Sequence, residues 1–490
     1  GYGISYEDTH DMINEHDISS AKGKIYPTSH TLKNEKRSQF FKLSFDVLDR
    51  YVISATLRRD GTDKFFPGKK YALFPSVSAA WKISNEKFLK DVFWINLLKL
   101  RASYGKTGQD NLGSSLYGVY EPSGFKVGFN DNGLFYVPCV SMGTNYPDVS
   151  WQKTIMKNIG LDFYLFKNRV SGSIDVFRND VTSLLGYAST SPLAIYPTRP
   201  INGGHFYRQG WEIMLDTKNM VGDFNWNTQL TFSKTNSFWK ERMPNYDYRS
   251  YQKRNKEPMN AYYYYKMTGI INADRSNMPE SQKTLQAEAQ FPGCPIIDDK
   301  NNDGKIDEND IYLKDNTPDI YIGFGNTFTY KNWEFSFFMY GQFGILKSNI
   351  AYRAALPGPL AVDYPENTNK YAYLLWNSQT NPNGTRPGLA VDRMGALPGG
   401  AGVNIDMENA SFVRMRNITL SYNFRDKILG KLKKYVKGIK VYADVQNPFV
   451  ISKFKGFDPE IYTGGGGANN ASRGEYPQAR TFTLGTNIVF

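Results

Sequence analysis

Apolar and polar residues alternate with a period of two in segments of about 10 to 13 residues, longer than the roughly five or six of an average soluble strand. Phe41, Leu43 and Phe45 alternate with Lys42, Ser44 and Asp46. After a tight Asp49-Arg50 turn the pattern resumes with Tyr51, Ile53, Ala55 and Leu57 against Ser54, Thr56 and Arg58, which predicts a hairpin. Similar segments run through Leu98 to Tyr104, through Ile159, Leu161 and Phe163 to Val170, Ile174 and Val176 across Lys167-Asn168, and through Trp211 to Phe232. Tyr321 to Tyr330 turns at Lys331-Asn332 into Trp333 to Phe343, and Ser411 to Phe424 returns as Ile439 to Val445.

Short connections alternate with long ones, the latter being Gly108 to Ser150, Asn236 to Pro318 and Lys347 to Asn409. Structureless loops of that length argue against a compact sandwich. A transmembrane barrel predicts the asymmetry, with short periplasmic turns and long extracellular loops. About 13 strands are predicted, starting near Ser38, Tyr51, Ala72, Asn96, Lys153, Arg169, Tyr207, Gly222, Ile320, Trp333, Ala410, Gly438 and Arg480. An odd count leaves residues 1–37 in an extracellular segment, and because a single-chain bacterial barrel needs an even count and a closed edge, strands are expected upstream.

Composition narrows this picture. The chain has 490 residues, 40% of them hydrophobic and 15% aromatic, and no apolar run approaches the roughly 18 to 20 residues of a membrane-spanning helix. Collagen, coiled coil and wholesale disorder are excluded by the absence of their repeats and by the abundance of rings. The 59 Lys and Arg exceed the 47 Asp and Glu by 12, but they are spread along the chain, so no nucleic-acid partner is expected. Cys139 and Cys294 match no metal or redox spacing and read either as a disulfide or as two unrelated thiols. The first residues show no signal peptide, so the chain reads as mature or as a fragment.

The last strand places Phe482, Leu484, Ile488 and Phe490 on one face, with a terminal aromatic residue. That arrangement resembles the assembly signal of outer-membrane barrels. Several blocks resemble the SusC/RagA family of TonB-dependent transporters of Bacteroidota outer membranes. They are residues 57–61 (LRRDG) with 74–81 (FPSVSAAW), 98–105 (LKLRASYG), and 158–163 (NIGLDF) with 172–175 (GSID). Near the end come 410–420 (ASFVRMRNITL), 446–448 (QNP), 456–460 (GFDPE) and 476–480 (YPQAR), all in the family's order. One departure is Gln152 after Trp151, where the family more often has Glu, which removes a charge near a loop base.

The resemblance implies an all-β fold, a transmembrane antiparallel barrel of 22 strands of which about 13 lie in residues 38–490. It also implies an N-terminal plug and a TonB-contacting segment with no counterpart in this sequence, a SusD-like lipoprotein over the extracellular mouth, and a dimer of transporter–lipoprotein pairs. The implied activity is import of oligosaccharides or oligopeptides across the outer membrane of a Gram-negative bacterium; glycan and peptide are not distinguished. A passive porin and a surface adhesin or secreted sandwich array remain as rivals.

Within the long connection 236–318, residues 299–310 (DKNNDGKIDEND) fit the pattern of an EF-hand loop. Asp299, Asn301, Asp303, the carbonyl of Lys305, Asp307 and Asp310 are the candidate ligands of a structural calcium ion. Position 12 is Asp310 rather than Glu, a shorter reach, and the competing reading is a polar turn at Asn302-Asp303-Gly304. No catalytic constellation stands out: the four histidines (His10, His16, His30, His205) fall in expected loops, and neither HExxH nor GxSxG occurs, so no enzyme and no catalytic cofactor are expected. His10, Asp11, His16 and Asp17 read as exposed polar residues sooner than as a metal site.

Rings at Tyr262 to Tyr265, Tyr371, Tyr373 and Trp376 are candidates for stacking on sugar rings or peptide side chains, although most barrel rings belong to the lipid face and its girdles. Arg414 and Arg416, alternating with Val413 and Met415, are expected to face the lumen and to contact an anionic solute or the plug.

Overall fold

The computed structural model describes the chain except residues 1, 7–24, 30–34, 113–115, 117–119, 124–125, 131–132, 137–138, 143–144, 191–197, 245–247, 253–255, 350–372, 389–394, 425–434, 457 and 461–477. In the strands within 2–29 and 120–142 it describes the backbone alone.

Thirteen strands form one continuous antiparallel wall. They are β1 (Lys36–Val47), β2 (Tyr51–Thr62), β3 (Tyr71–Lys82), β4 (Ile95–Gln109), β5 (Gln152–Leu165), β6 (Val170–Ser189) and β7 (Thr198–Met220). The wall continues with β8 (Phe224–Glu241), β9 (Ile320–Tyr330), β10 (Trp333–Phe343), β11 (Phe412–Phe424), β12 (Gly438–Gln446) and β13 (Thr481–Val489). Each pairs with its neighbour in sequence, and a short strand, Val450–Ser452, pairs with the upper part of β11. The path is open among the described residues, with β1 and β13 at its two ends.

The alternation read from sequence becomes two faces because the register is continuous. One row runs Ile53, Ala79, Ala102, Ile159, Val176, Trp211 across six strands, and the row beside it runs Ser54, Ser78, Ser103, Asn158, Phe177, Gly210. The first belongs to an apolar face that is left uncovered: Ile159 is 61% exposed, Phe45 58% and Leu484 82%. Uncovered apolar area on that scale marks a surface that meets lipid or a partner instead of water. The second belongs to a polar face.

Tight turns close one end of the hairpins. Leu48 and Asp49 have φ of 58° and 52°, Phe166, Lys167 and Asn168 of 53° to 62°, and Lys331 of 53°. Rings gather at this end: Trp94 stacks on Phe166, Phe328 lies against Phe224, Trp226 and Phe335, and Trp333 meets Tyr422 edge-on. Trp226 donates its indole N–H to Asn326 Oδ1 at 2.7 Å, so its polar edge is satisfied while its apolar body joins the girdle.

Strands β6, β7 and β8 are 20, 23 and 18 residues long, well beyond the predicted 10 to 13. A tilted strand needs only about 9 to 11 residues to cross the hydrocarbon. Beyond that depth both faces meet water, the alternation loses its apolar half, and the pattern gave no sign of the extension. The expected long segment 1–37 also holds structure: Tyr2–Tyr6 pairs with Ile25–Ser29, and β1 begins at Lys36.

The long connection 236–318 is a folded unit, which corrects the expectation of structureless loops. Ala261–Tyr265 pairs antiparallel with Tyr312–Asp315 and parallel with Gly402–Val403, and Met267–Ile270 pairs with Pro295–Ile297. Tyr251, Tyr265, Ile271, Leu285, Ile297, Ile306 and Ile311 form its core. Gln282, fully buried, donates to the carbonyls of Ala289 and Pro295 and accepts the N–H of Ile297. A second cluster of Phe65, Phe74, Leu112, Leu116, Val149 and Trp151 holds the connections above β3 to β5.

Candidate functional site

The polar face carries a charge cluster built by three neighbouring strands. Arg101 on β4 donates its Nε to both oxygens of Asp162 on β5, at 2.9 Å each, and its Nη2 to both oxygens of Asp175 on β6, at 3.1 and 3.0 Å. Lys99 Nζ lies 3.1 Å from Asp162. Gly160 leaves room for this: a Cβ there would stand 2.7 Å from Arg101 Nη2 and 2.5 Å from Asp175 Oδ1. The blocks LRAS, GLDF and GSID therefore meet in space, which their sequence positions did not reveal. Toward the tight turns a polar recess of about 400 Å³ is lined by Asn168, Asp216, Lys218, Asn227, Gln229 and Asn417.

Arg414 lies on the polar face opposite Tyr340. It is 3% exposed, with Asp458 at 2.5 Å and Glu460 at 2.7 Å, and the Tyr340 hydroxyl donates to Glu460. Asp458 also accepts the N–H groups of Glu460 and Gln478. Two carboxylates neutralise the guanidinium, so Arg414 fastens the 458–460 segment to the wall, which is a different job from the expected contact with a solute or plug. Arg416 departs from the expectation for another reason. The β10–β11 register shifts between Phe338 and Met339, where Asn417 and Met415 find partners and Arg416 does not. This bulge takes Arg416 out of the two-residue alternation, leaving it exposed with Nη1 3.1 Å from Asn447 Oδ1.

The ring candidates separate into distinct environments. Tyr262 stacks on Tyr264 at 5.1 Å and Tyr264 on Tyr312 at 5.7 Å, forming a three-ring platform on one face of the loop unit. Lys300 and Lys266 place their ammonium groups 5.0 and 5.6 Å from the Tyr312 ring centre. Tyr312 donates its hydroxyl to Asp298 Oδ2 at 2.6 Å. That bond holds Asp298 below the ordinary carboxylate range, aided by Lys266 against the opposing effect of burial, and pushes Tyr312 up to about 12. Tyr312 is distant in sequence, and only strand pairing brings its ring beside Tyr264. Tyr265 is buried and donates to the carbonyls of Asp307 and Pro398. Trp376 packs against Gly293, Gly384 and Gly388, whereas Tyr373 is 69% exposed and Tyr371 lies outside the described residues.

In the loop 299–310, Asp299 accepts the N–H groups of Asp303 and Gly304, Asn301 accepts that of Asp303, and Asp303 accepts that of Lys305. Gly304 has φ of +83°, and Ile306 is buried beneath the turn. Asp307 caps the short helical turn Glu308–Asp310, while buried Asp310 accepts the N–H groups of Lys300 and Asp307. Among the described residues no three His, Cys, Asp or Glu side chains are already gathered around one metal position. His10, Asp11, His16 and Asp17 lie outside the described residues, as do the side chain of Cys139 and with it the question of a Cys139–Cys294 pair. Gln152 accepts the N–H of Leu185 and donates to Gln109, so its amide ties two loop bases together. Phe482, Leu484, Ile488 and Phe490 are all uncovered on the apolar side of the last strand.

The family described as TonB dependent receptor-like, beta-barrel, matches residues 1–448. The TonB-dependent receptor SusC of Bacteroides thetaiotaomicron is 30% identical over 97% of this chain and 45% of its own length. The TonB-dependent receptor P3 of Formosa agariphila is 27% identical over 95% of this chain and 46% of its own. Among solved structures, the RagAB peptide transporter superposes with a TM-score of 0.77 at 20% identity, covering 99% of this chain and 51% of that one. The chain thus spans about half the length of these relatives.

Proposed function

This chain belongs to the TonB dependent receptor-like β-barrel family, and on that premise we propose that it is the C-terminal wall of an outer-membrane active transporter that imports oligosaccharides or oligopeptides. The observation that carries this reading is the two-faced wall. An uncovered apolar face suited to lipid backs a polar face with a fixed ion-pair cluster at Arg101, Asp162 and Asp175. In a transporter the polar face lines the lumen, where such groups offer contacts to a plug and to solute. The platform of Tyr262, Tyr264 and Tyr312 stands on the long-connection side, suited to first contact with a sugar ring or an apolar peptide side chain.

The partners in this reading are a SusD-like surface lipoprotein closing over the long connections, TonB acting through a segment outside residues 1–490, and outer-membrane lipid. RagAB, similar in fold, is a peptide transporter, and SusC is a TonB-dependent receptor; neither name fixes the solute here. Phe482, Leu484, Ile488 and Phe490 serve as the assembly signal. The loop 299–310 holds a structural calcium ion through Asp299, Asn301, Asp303, the Lys305 carbonyl, Asp307 and Asp310, a donor set of hard oxygens of the kind that ion prefers. Asp310 would then exchange its bonds to the Lys300 and Asp307 amides for the ion.

The test is uptake by cells carrying the full-length transporter on defined oligosaccharides and oligopeptides, with and without an uncoupler. Accumulation that stops when the proton gradient collapses is the expected result. Uptake that survives uncoupling would favour a passive porin.

A further inference from the structure

The apolar face is not smooth. Where β3 to β8 pass, it holds a hollow of about 970 Å³ whose floor includes Ala79 and Ala102, paired in register, with Ile159, Val176 and Trp211 beside them and Lys234 at its β8 edge. Two adjacent alanines in a row of bulky side chains create the depression, since neighbouring strands lie only about 4.8 Å apart and larger residues would fill it. Ile159 and Val176 are 61% and 57% exposed.

The next register row toward the long connections changes character. It reads Val77, Tyr104, Lys157, Arg178, Gln209, Asn236, placing two cations side by side at the upper rim of the hollow. Lys157 and Arg178 are 54% and 44% exposed, and both lean on Asp180, at 3.6 and 3.4 Å. Arg178 also covers the Tyr207 ring at 4.1 Å, which holds its fork in place. Lys106 and Lys153 follow one and two steps higher on the same face, so this side of the rim carries four cations, of which Lys157 and Arg178 pair with Asp180.

Height fixes what meets this rim. Arg178 lies eight residues along β6 from its start at the tight turn. At about 3.3 Å rise per residue and a tilt near 40°, that is roughly 20 Å above the turns, near the upper edge of an apolar band about 25 Å tall. A floor that is apolar from Ala79 to Trp211, with Lys234 only at its β8 edge, and paired cations above, at the level of the outer headgroups, match an amphiphile with several acyl chains and phosphate on its headgroup. The planar Arg fork suits two phosphate oxygens, and Lys157 supplies a point charge beside it. A second copy of the chain fits less well, because a two-fold axis along the membrane normal would bring the two cationic rows to one height, facing each other.

We propose that this hollow is a docking site for a phosphate-bearing, multi-acyl lipid of the outer leaflet, with acyl chains over Ala79 and Ala102 and a phosphate at Lys157 and Arg178. The proposal rests on the barrel reading, since it requires the apolar face to meet lipid.

The test uses the full-length transporter, extracted in detergent and stripped of lipid, in native mass spectrometry with a synthetic bisphosphorylated, multi-acylated glucosamine disaccharide and its phosphate-free counterpart. One bisphosphorylated lipid per barrel should be retained, and the phosphate-free one should bind far more weakly. The double substitution Lys157→Ala with Arg178→Ala should weaken binding roughly 30-fold, as each juxtamembrane cation contributes on the order of a fivefold gain. Ala102→Phe should block the acyl chains with both cations intact. Equal binding by the variants and the parent, in protein that still needs detergent and supports uptake, would overturn the lipid site alone. Loss of a dimer peak with lipid affinity unchanged would assign the hollow to a second copy. A parent protein soluble without detergent would overturn the barrel reading itself.

Discussion

Arg101 lies over Gly160, and the absence of a side chain at that glycine lets one guanidinium reach two carboxylates on two further strands. A Cβ on Gly160 would stand 2.7 Å from Arg101 Nη2 and 2.8 Å from its Cζ. Asp162 and Asp175 then hold the guanidinium from either side at 2.8 and 3.0 Å. Gly160→Leu should expel the guanidinium and leave Asp175 without its donor, lowering stability by about 1 to 3 kcal/mol. Asp175→Asn should cost less, since a neutral acceptor remains. Thermal unfolding of the full-length protein in detergent checks the order of the two variants.

The two faces of the wall make opposite predictions for neighbouring residues. Ile174 points to the apolar face and Ser173 to the polar one. Ile174→Arg should lower folding stability in lipid vesicles by about 2 to 4 kcal/mol, whereas Ser173→Arg should change it by well under half of that. Equal effects at the two positions would contradict the assignment of faces.

Arg414 and its carboxylates form a buried clamp, so removing one partner should be costly. Arg414→Ala strands Asp458 and Glu460 and should destabilise by about 3 to 5 kcal/mol. Limited proteolysis should show early cleavage near residue 458. Arg416→Ala, at the bulge, should leave the cleavage pattern unchanged. Reversing both charges should alter solute uptake only to the extent that the clamp opens.

The Asp298–Tyr312 contact sets a pH window for the loop unit. Asp298 has its folded pKa lowered, so its contribution is complete above the ordinary carboxylate value near 4 and is lost as pH falls through the folded value. Tyr312 has its pKa raised to about 12, so its contribution is complete below the ordinary phenol value near 10 and is lost as pH rises through about 12. Between about pH 4 and 10 the contact is therefore at full strength. Tyr312→Phe should remove the window, and the ultraviolet titration of the parent should show one late-ionising phenol missing from the variant.

Calcium titration by calorimetry tests the loop 299–310. A dissociation constant on the order of 10⁻⁴ to 10⁻³ M is expected, as for other extracellular modules. Asp299→Ala should abolish the heat, and calcium should protect the parent loop from protease. Absence of heat in the parent would leave the segment as a turn closed by its own amides.

Sequence alone determined the wall: its strand order, its tight turns, its two faces and the number of strands between Lys36 and Val489. Those features are local, because a period of two and a turn residue are written within ten positions of one another. It did not reveal how far β6 to β8 rise above the lipid, since the alternation disappears where both faces are wet. It also left the chemistry scattered. Arg101 finds Asp162 and Asp175 only through a register that joins residues 61 and 74 positions apart, and Arg414 finds Asp458 and Glu460 only because the segment after Val450–Ser452 returns to the wall. One bulged residue was enough to separate Arg416 from Arg414, and one strand pairing was enough to add Tyr312 to Tyr264. The tertiary structure decided these because contact depends on register and bulges, which no single strand's pattern encodes.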